Sequence, residues 1–409
     1  MTELLIAFRN LSRNMRRSIF TLATVALGFT AVNLFAGYVH DIYEGLSRQA
    51  VHGELLGHLQ LRMAGERADR RLNPEAFVFN ETQLDELAQI ISEDPDVALV
   101  TPRLELNGLV SEGRVSTIFI GEGMVPEDTS VIRAGLGSER SPDLLPVGGV
   151  AAAAFGKGLA EILGVTEGDY TVLVSTTLDG MTNALDVDVA SIFDTGTEAT
   201  NERMILVPIN EARRLLATDG ADRLVVLLHD RERTEAVAAR LAERLADHQP
   251  AVEISTWQAL SVFYQRVRNL FDMIFVFIFS IVALIVVMSI VNIMSLVVME
   301  RTREIGTLQA IGMKRPAILR LFCGEATILA VFGCVLGVVI AMITAWLVNG
   351  AGIAYTPPNS TEMVPLRVDM QASTMLVSAA VMSSLAALIT LIPARRATRM
   401  SITEALGHA

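Results

Sequence analysis

The sequence predicts a membrane protein with four transmembrane α-helices and a large mixed α+β extracytoplasmic domain inserted between helices 1 and 2. Three observations carry this. Hydrophobic residues make up 51% of the 409 residues, and the mean hydropathy is +0.44, too apolar for an ordinary soluble chain. Apolar runs at 19–39, 273–299, 326–348 and 374–392 each come near the ~20 residues that a hydrocarbon core about 30 Å thick demands of a helix. Lys and Arg outside the long loop cluster beside these runs, as they do on the cytoplasmic side of short loops.

Residues 1–18 form a basic cytoplasmic segment in which Arg9, Arg13, Arg16 and Arg17 precede the first span, 19–39. Basic residues ahead of an apolar core also describe a cleaved signal peptide, but the run is long and no A-x-A-like site follows, so it reads as a retained anchor. The loop 40–269 is then outside. It holds 37 acidic and 20 basic residues, a net charge of −17, whereas the rest of the chain is net +5. An acidic surface repels phosphate and argues against nucleic acid as a partner. Both cysteines, Cys323 and Cys334, fall in or beside the third span, so the outer domain needs a packed core rather than disulfides.

Inside the loop, 55–63 and 104–120 read as strands, the second broken by a turn at Glu112 and Gly113. Leu84, Leu87 and Ile91 share one helical face over 82–92, as do Val237, Leu241 and Leu245 over 234–247. The short apolar runs 204–207 and 223–228 suit buried strands. The pattern is mixed α+β, with βαβ-like pieces at both ends of the loop and a Gly-rich insertion at about 125–200. Catalytic motifs are scarce. GGVAAAAFGKG at 148–158 resembles a phosphate loop, but six residues separate Gly149 from Gly156 and Gly158 replaces the Ser or Thr that would hold magnesium. It reads as a helix-starting turn. His52 and His58 match no metal-ligand spacing. No catalytic residue and no metal site is assigned.

The second span, 270–299 with its stalk, contains an apolar run of about 27 residues, roughly 40 Å as helix, and projects beyond the hydrocarbon. Residues 300–317 connect it to the third span. A connector needs only to be polar, yet this one repeats Ile305, Leu308 and Ile311 at helical spacing, flanks them with Glu300, Arg301, Arg303, Glu304, Lys314 and Arg315, and brackets them with Gly306 and Gly312. It reads as an amphipathic helix on the membrane face or in a partner's groove; its charges alone also fit a basic loop that fixes topology. On the third span, 318–348, Gly333, Gly337, Ala341 and Ala345 recur every fourth residue, a small-residue ridge for a helix of this chain or of a second subunit. The connector 349–371 carries Arg367, and the fourth span, 372–392, leads into the basic tail 393–409 with Arg395, Arg396 and Arg399. Both termini are therefore expected in the cytoplasm.

The order of basic N-terminus, one span, large outer domain and three spans, with ERTREIGTLQAIGMKR after the second and PARRATRMSITEAL after the fourth, resembles the permeases of the MacB and FtsX superfamily of ABC transporters. GHLQLR at 57–62, TPRLELNGLVSEG at 101–113 and IFDTGTEATNERMILVPINEARRLL at 192–216 look most like the lipoprotein-releasing LolC and LolE type. The resemblance implies that Glu304, Ile305, Gly306, Thr307, Leu308, Ile311 and Gly312 form the coupling helix that docks on a separate ABC ATPase dimer. It implies no cofactor on this chain itself, ATP and Mg being used by that ATPase, whereas MacB carries its ATPase fused. A second permease, identical or sister, would complete the unit in the bacterial inner membrane, among membrane lipid. The expected activity is extraction of a lipoprotein or related amphiphile from the outer leaflet, with delivery to a periplasmic carrier or adaptor. Tripartite efflux of a drug, peptide or toxin, and FtsX-like activation of a cell-wall hydrolase, are the alternatives; the size of the outer domain weighs against the last.

Overall fold

A computed structural model describes residues 15–66, 73–137, 143–148, 151–355 and 363–399. Arg9, Arg13, Gly149 and the tail beyond Arg399 lie outside the described residues, as do the side chains of Arg16, Arg17 and Arg399. The chain divides into a helical unit (up to Tyr43, Arg268–Tyr355 and from Pro365 onward) and an α+β unit built on Glu44–Val267.

The long helices are α1 (Met15–Arg48), α7 (Val262–Glu300), α9 (Arg315–Gly350) and α10 (Ala372–Arg399), and all four are long and apolar enough to cross a membrane. A helix satisfies its own backbone groups, the condition for a segment in lipid. Val25, Phe29 and Val32 of α1 pack with Val286, Ile290 and Met294 of α7, Ala326, Ala330 and Cys334 of α9, and Met382 and Ala386 of α10. The small-residue ridge receives α1 of the same chain. A Cβ on Gly333 would lie 2.7 Å from the Val25 side chain, and one on Gly337 would lie 2.8 Å from the Ala26 carbonyl oxygen. Ala341 and Ala345 continue the buried line. Thr30 Oγ1 donates to the Gly337 carbonyl at 3.0 Å, and Asn33 Nδ2 donates to Ser378 Oγ at 3.1 Å, tying α1 to α9 and α10. Of the four, α7 is the least buried. Its 39 residues reach ~58 Å at 1.5 Å per residue.

In the α+β unit, β1 (Leu59–Met63), α2 (Glu81–Ser92) and the start of β2 (Val97–Ser111) form one βαβ crossover, and β8 (Arg223–Leu228), α6 (Thr234–Arg244) and β9 (Val252–Thr256) form another. They interleave in the order β9-β1-β8-β2 with antiparallel neighbours, a split-βαβ sheet. Asn80 starts α2 with a capping box, exchanging hydrogen bonds with Gln83. Leu84, Leu87 and Ile91 pack with Val237 and Leu241 over Leu59, Leu61, Leu224 and Val226.

The second lobe is a closed ring. β2 continues into pairing with β3 (Ser116–Met124) and β5 (Tyr170–Thr176), and β3-β7-β4-β6-β5 completes the circle through β7 (Met204–Pro208), β4 (Ala152–Gly156) and β6 (Thr182–Phe193). Leu104, Leu106, Phe119, Phe155, Leu173, Val187, Ile205 and Leu215 fill it. The insertion expected at 125–200 is therefore too narrow. Three of the six staves, β2, β3 and β7, lie outside it, because closure needs their inward-facing residues. Two local expectations also change. The strand placed at 55–63 starts at Leu59, since a π-turn extends α1 to Gly53 and Leu55 and Gly57 take φ of 58° and 66°. Ala152–Gly156, read as a turn, is a wholly buried strand between β6 and β7, where alanines fit a site covered on both faces.

Where β2 passes between lobes, Arg103 stands opposite Arg223 of β8, which stands opposite Arg62 of β1. Carboxylates surround this row. Arg223 pairs with Glu122 and, at 3.0 Å, with Asp222; Arg62 pairs with Glu66 at 3.0 Å; Glu122 lies 3.8 Å from Arg103. Arg103 is 1% exposed, and burial pushes its guanidinium down to about 10. Ahead of β1, His52 Nδ1 lies 2.7 Å from the Ile132 carbonyl, its ring set edge-on to His58, whose Nδ1 accepts from the Leu228 N–H at 3.0 Å. Burial lowers both imidazoles, His58 to about 4.

Two outcomes follow. Arg223→Met removes the cation facing Glu122 and Asp222 and should cost about 3–5 kcal/mol in chemical unfolding of the full chain, whereas Arg103→Met should be close to neutral. Acidification should destabilise the folded chain. A folded histidine held neutral binds fewer protons than an unfolded one, so stability falls as pH drops from about 6.5 towards about 4. Glu54, whose carboxyl burial raises, opposes this in part. The His58→Asn variant should show a flatter dependence of melting temperature on pH across that window.

Candidate functional site

The connector between the second and third spans is built by three helix ends. α7 stops at Glu300; Arg301 leaves helical geometry at φ −103°, ψ 13°; and α8 (Thr302–Ala310) begins a new direction. Thr302 Oγ1 donates back to the Val298 and Met299 carbonyls at 3.0 and 2.9 Å, closing the end of α7. At the other end, Gly312 at φ +98° stops α8 in a left-handed cap. The Gly312 N–H reaches the Gln309 carbonyl and the Met313 N–H reaches that of Leu308, both at 3.0 Å, the paired bonds of a Schellman motif. Lys314 then caps α9, with Pro316 in its first turn.

The residues singled out from sequence separate into two faces. Ile305, 3% exposed, packs with Val298, Ile318, Phe322 and Ala394, and Gly306 is buried beside it. Both face the chain's own helices. Leu308 is half-buried, whereas Glu304, Thr307, Ile311 and Gly312 are exposed. Ile311 is 80% exposed. The apolar repeat therefore does not form one stripe. Each step of three residues falls about 60° short of a full turn, so six residues carry Ile311 well round from Ile305. Gln309 Nε2 donates to the Thr398 carbonyl at 3.4 Å, tying α8 to α10.

One interaction is absent from the sequence reading. Arg301 donates through Nε to Glu304 at 2.7 Å and through Nη1 to Glu325 of α9 at 2.9 Å, with its guanidinium 5.8 Å from the Phe322 ring centre. Glu325 is almost fully buried. Its position in an apolar run was the available signal, since an acid there calls for a cationic partner. The apparent phosphate loop has a packing explanation instead. A Cβ on Gly156 would lie 2.4 Å from the Asn201 carbonyl oxygen, so glycine permits strand and turn to touch. Among the described residues no cluster of three or more His, Cys, Asp or Glu is placed to hold a metal.

Comparison with known proteins agrees with this architecture. The MacB-like periplasmic core domain matches residues 18–244, and the FtsX-like permease C-terminal domain matches 276–402. The lipoprotein-releasing system transmembrane protein LolC of Xylella fastidiosa is 23% identical over 331 residues, 77% of this chain and 79% of that relative. The pyoverdine export ATP-binding/permease protein PvdT of Pseudomonas savastanoi pv. phaseolicola is 29% identical over 170 residues, 40% of this chain and 26% of that one. The periplasmic region of MacB from Actinobacillus actinomycetemcomitans is 12% identical with a TM-score of 0.32, covering 54% of this chain and 96% of that structure. With both domain matches in sequence order around four spans, the chain belongs to the MacB and FtsX family of ABC transporter permeases, as a multi-pass protein of the bacterial inner membrane close to LolC.

Proposed function

We propose that the chain is the permease subunit of a mechanotransmission transporter, coupling ATP hydrolysis by a separate ATPase dimer to movement of a lipoprotein or related amphiphile out of the inner membrane. The observation that carries the coupling step is Ile311. A large apolar side chain stands 80% exposed at the end of a helix whose other isoleucine is buried, beside exposed Thr307, Gly312 and Lys314. Such an anchor with a polar surround fits a protein groove. ATP binding would close the ATPase dimer, α8 would move with it, and α7 would carry the motion to the outer domain. The basic clusters at Arg301, Arg303, Lys314, Arg315 and Arg320 and at Arg395 and Arg396 support cytoplasmic placement of this end and of both termini.

The lipoprotein reading is supported by the LolC relatives, one of which, from Neisseria meningitidis, covers 95% of this chain at 23% identity. It also fits spans with few ionisable groups, which offer no route for a polar solute but tolerate an acyl chain. The match to PvdT favours a second reading, export of a smaller product, over a shorter part of the chain. No catalytic role falls to this chain in either case; ATP and Mg belong to the partner. A second permease and a periplasmic carrier or adaptor complete the proposed assembly.

The Ile311→Asp variant tests the coupling step. The complex purified from its native membrane should retain normal insertion and folding of the chain and lose the bulk of its bound ATPase, on the order of tenfold in affinity. Full retention of a stimulated ATPase in that variant sinks the assignment. Mass spectrometry of the wild-type complex separates the substrates: acylated protein supports lipoprotein release, and an adaptor with an outer-membrane channel supports efflux.

A further inference from the structure

Arg301 occupies the junction between three helices. It follows the last residue of α7, precedes the first of α8 and reaches Glu325 of α9, 24 positions away in sequence. Its two arms are divided between carboxylates, Nε to Glu304 on α8 and Nη1 to Glu325 on α9. Glu325 has a side chain only 6% exposed, while Glu304 is 55% exposed. The anchored end of the bridge is therefore the span, and the solvated end is the connector. Phe322 lies against the guanidinium and is itself 1% exposed, sharing a cluster with Ile305 and Ile318. A planar, permanently charged fork suits this task, because it can hold two carboxylates in fixed directions where an ammonium would act as one point charge.

Resting on the permease reading above, we propose that Arg301 and Glu325 form a transmission latch, positioning residues that lock the connector helix to the third span so that displacement of α8 moves α7 and α9 together. Without the latch, α8 is joined to α7 at Arg301 and to α9 through the short turn 311–314, with Ile305 packed between them. With it, the corner between α7 and α8 is also held to Glu325 inside α9, and α9 is seated on α1 through Gly333 and Gly337. The latch thus removes the freedom of the turn, so that the three spans move together. A buried ion pair fits a part that must hold one geometry under load, since an apolar contact alone lets the helices slide.

The test uses the full complex in nanodiscs, with spin labels at exposed Arg303 on α8 and exposed Val335 on α9. In the wild type, the distance between labels should be narrow and unchanged when ATP is added with vanadate. Glu325→Gln should keep the bound ATPase, broaden that distance and abolish the ATP-driven displacement of α9 measured against a label on α10. The Glu325→Asp variant, which keeps the carboxylate, should retain more of both than Glu325→Gln does. A Glu325→Gln complex that matches the wild type overturns the latch, as does a Glu325→Asp complex no better than Glu325→Gln while the chain remains folded. A wild-type chain that captures no ATPase overturns the permease reading instead. The latch is then decided by the label distance without nucleotide, where a narrow distribution in Glu325→Gln rejects it.

Discussion

The contact of the first and third spans at Gly333 and Gly337 sets the spacing on which the rest of the helical unit depends. Without side chains at these two positions, α1 backbone and α9 backbone meet directly, and helices in lipid gain from such closeness because no hydrophobic effect draws them together there. The Thr30 hydroxyl then reaches a carbonyl of α9, and Asn33 meets Ser378 of α10. Polar side chains are satisfied across helices at points where a wider spacing would strand them. The same closeness leaves α7 on the outside of the group. α1 touches it through Gly28, where a Cβ would sit 2.9 Å from Val282.

In the α+β unit, the corresponding constraint is β2. One strand of 15 residues pairs with β8 in the first lobe and with β3 and β5 in the second, so the two cores share a rigid element rather than a linker. The arginine row lies where they meet. Charges buried there cost desolvation and gain little net stability, but they demand particular partners. Arg223, held by Asp222 and Glu122, links a residue of β8 to one of β3 and fixes how the sheet passes from one lobe into the next.

Features set by local composition were legible in the sequence. The four spans follow from unbroken apolar runs, and α2 and α6 from the periodicity of Leu84, Leu87 and Ile91 and of Val237 and Leu241. The glycine ridge was visible as a pattern, but its occupant was not, because nothing along α9 distinguishes a neighbour of the same chain from one of another. Pairings between distant segments were hidden. Ring closure joins β3 to β7 across the whole middle of the domain, and an insertion drawn from glycines and strand-like runs missed it. The connector shows the same division. Its helical spacing and its charge were readable, while its stop at Gly312 and the different directions of Ile305 and Ile311 depend on the turn into α9 and on which face α9 covers. Arg301 was counted among the residues that set topology; its partner Glu325 lies beyond the connector, and only packing brings them together.

The closed ring also dictates an order of assembly. β2 and β3 form a hairpin soon after they are made, but the ring closes only when β7 arrives at Met204–Pro208, and the first lobe is completed only by β9 at Val252–Thr256. Pairings this far apart in sequence form slowly, because their loops must close before any contact offsets the lost entropy. Neither core can be finished while its last strand is still unmade, so the nascent α+β unit stays incomplete, with apolar strands unpaired, through most of its synthesis. α1 precedes all of it and α7 follows immediately after. A chain built in this order is already tethered at one end when its outer domain is most prone to mispairing, and the last strand of that domain emerges just ahead of the helix that ties down the other end.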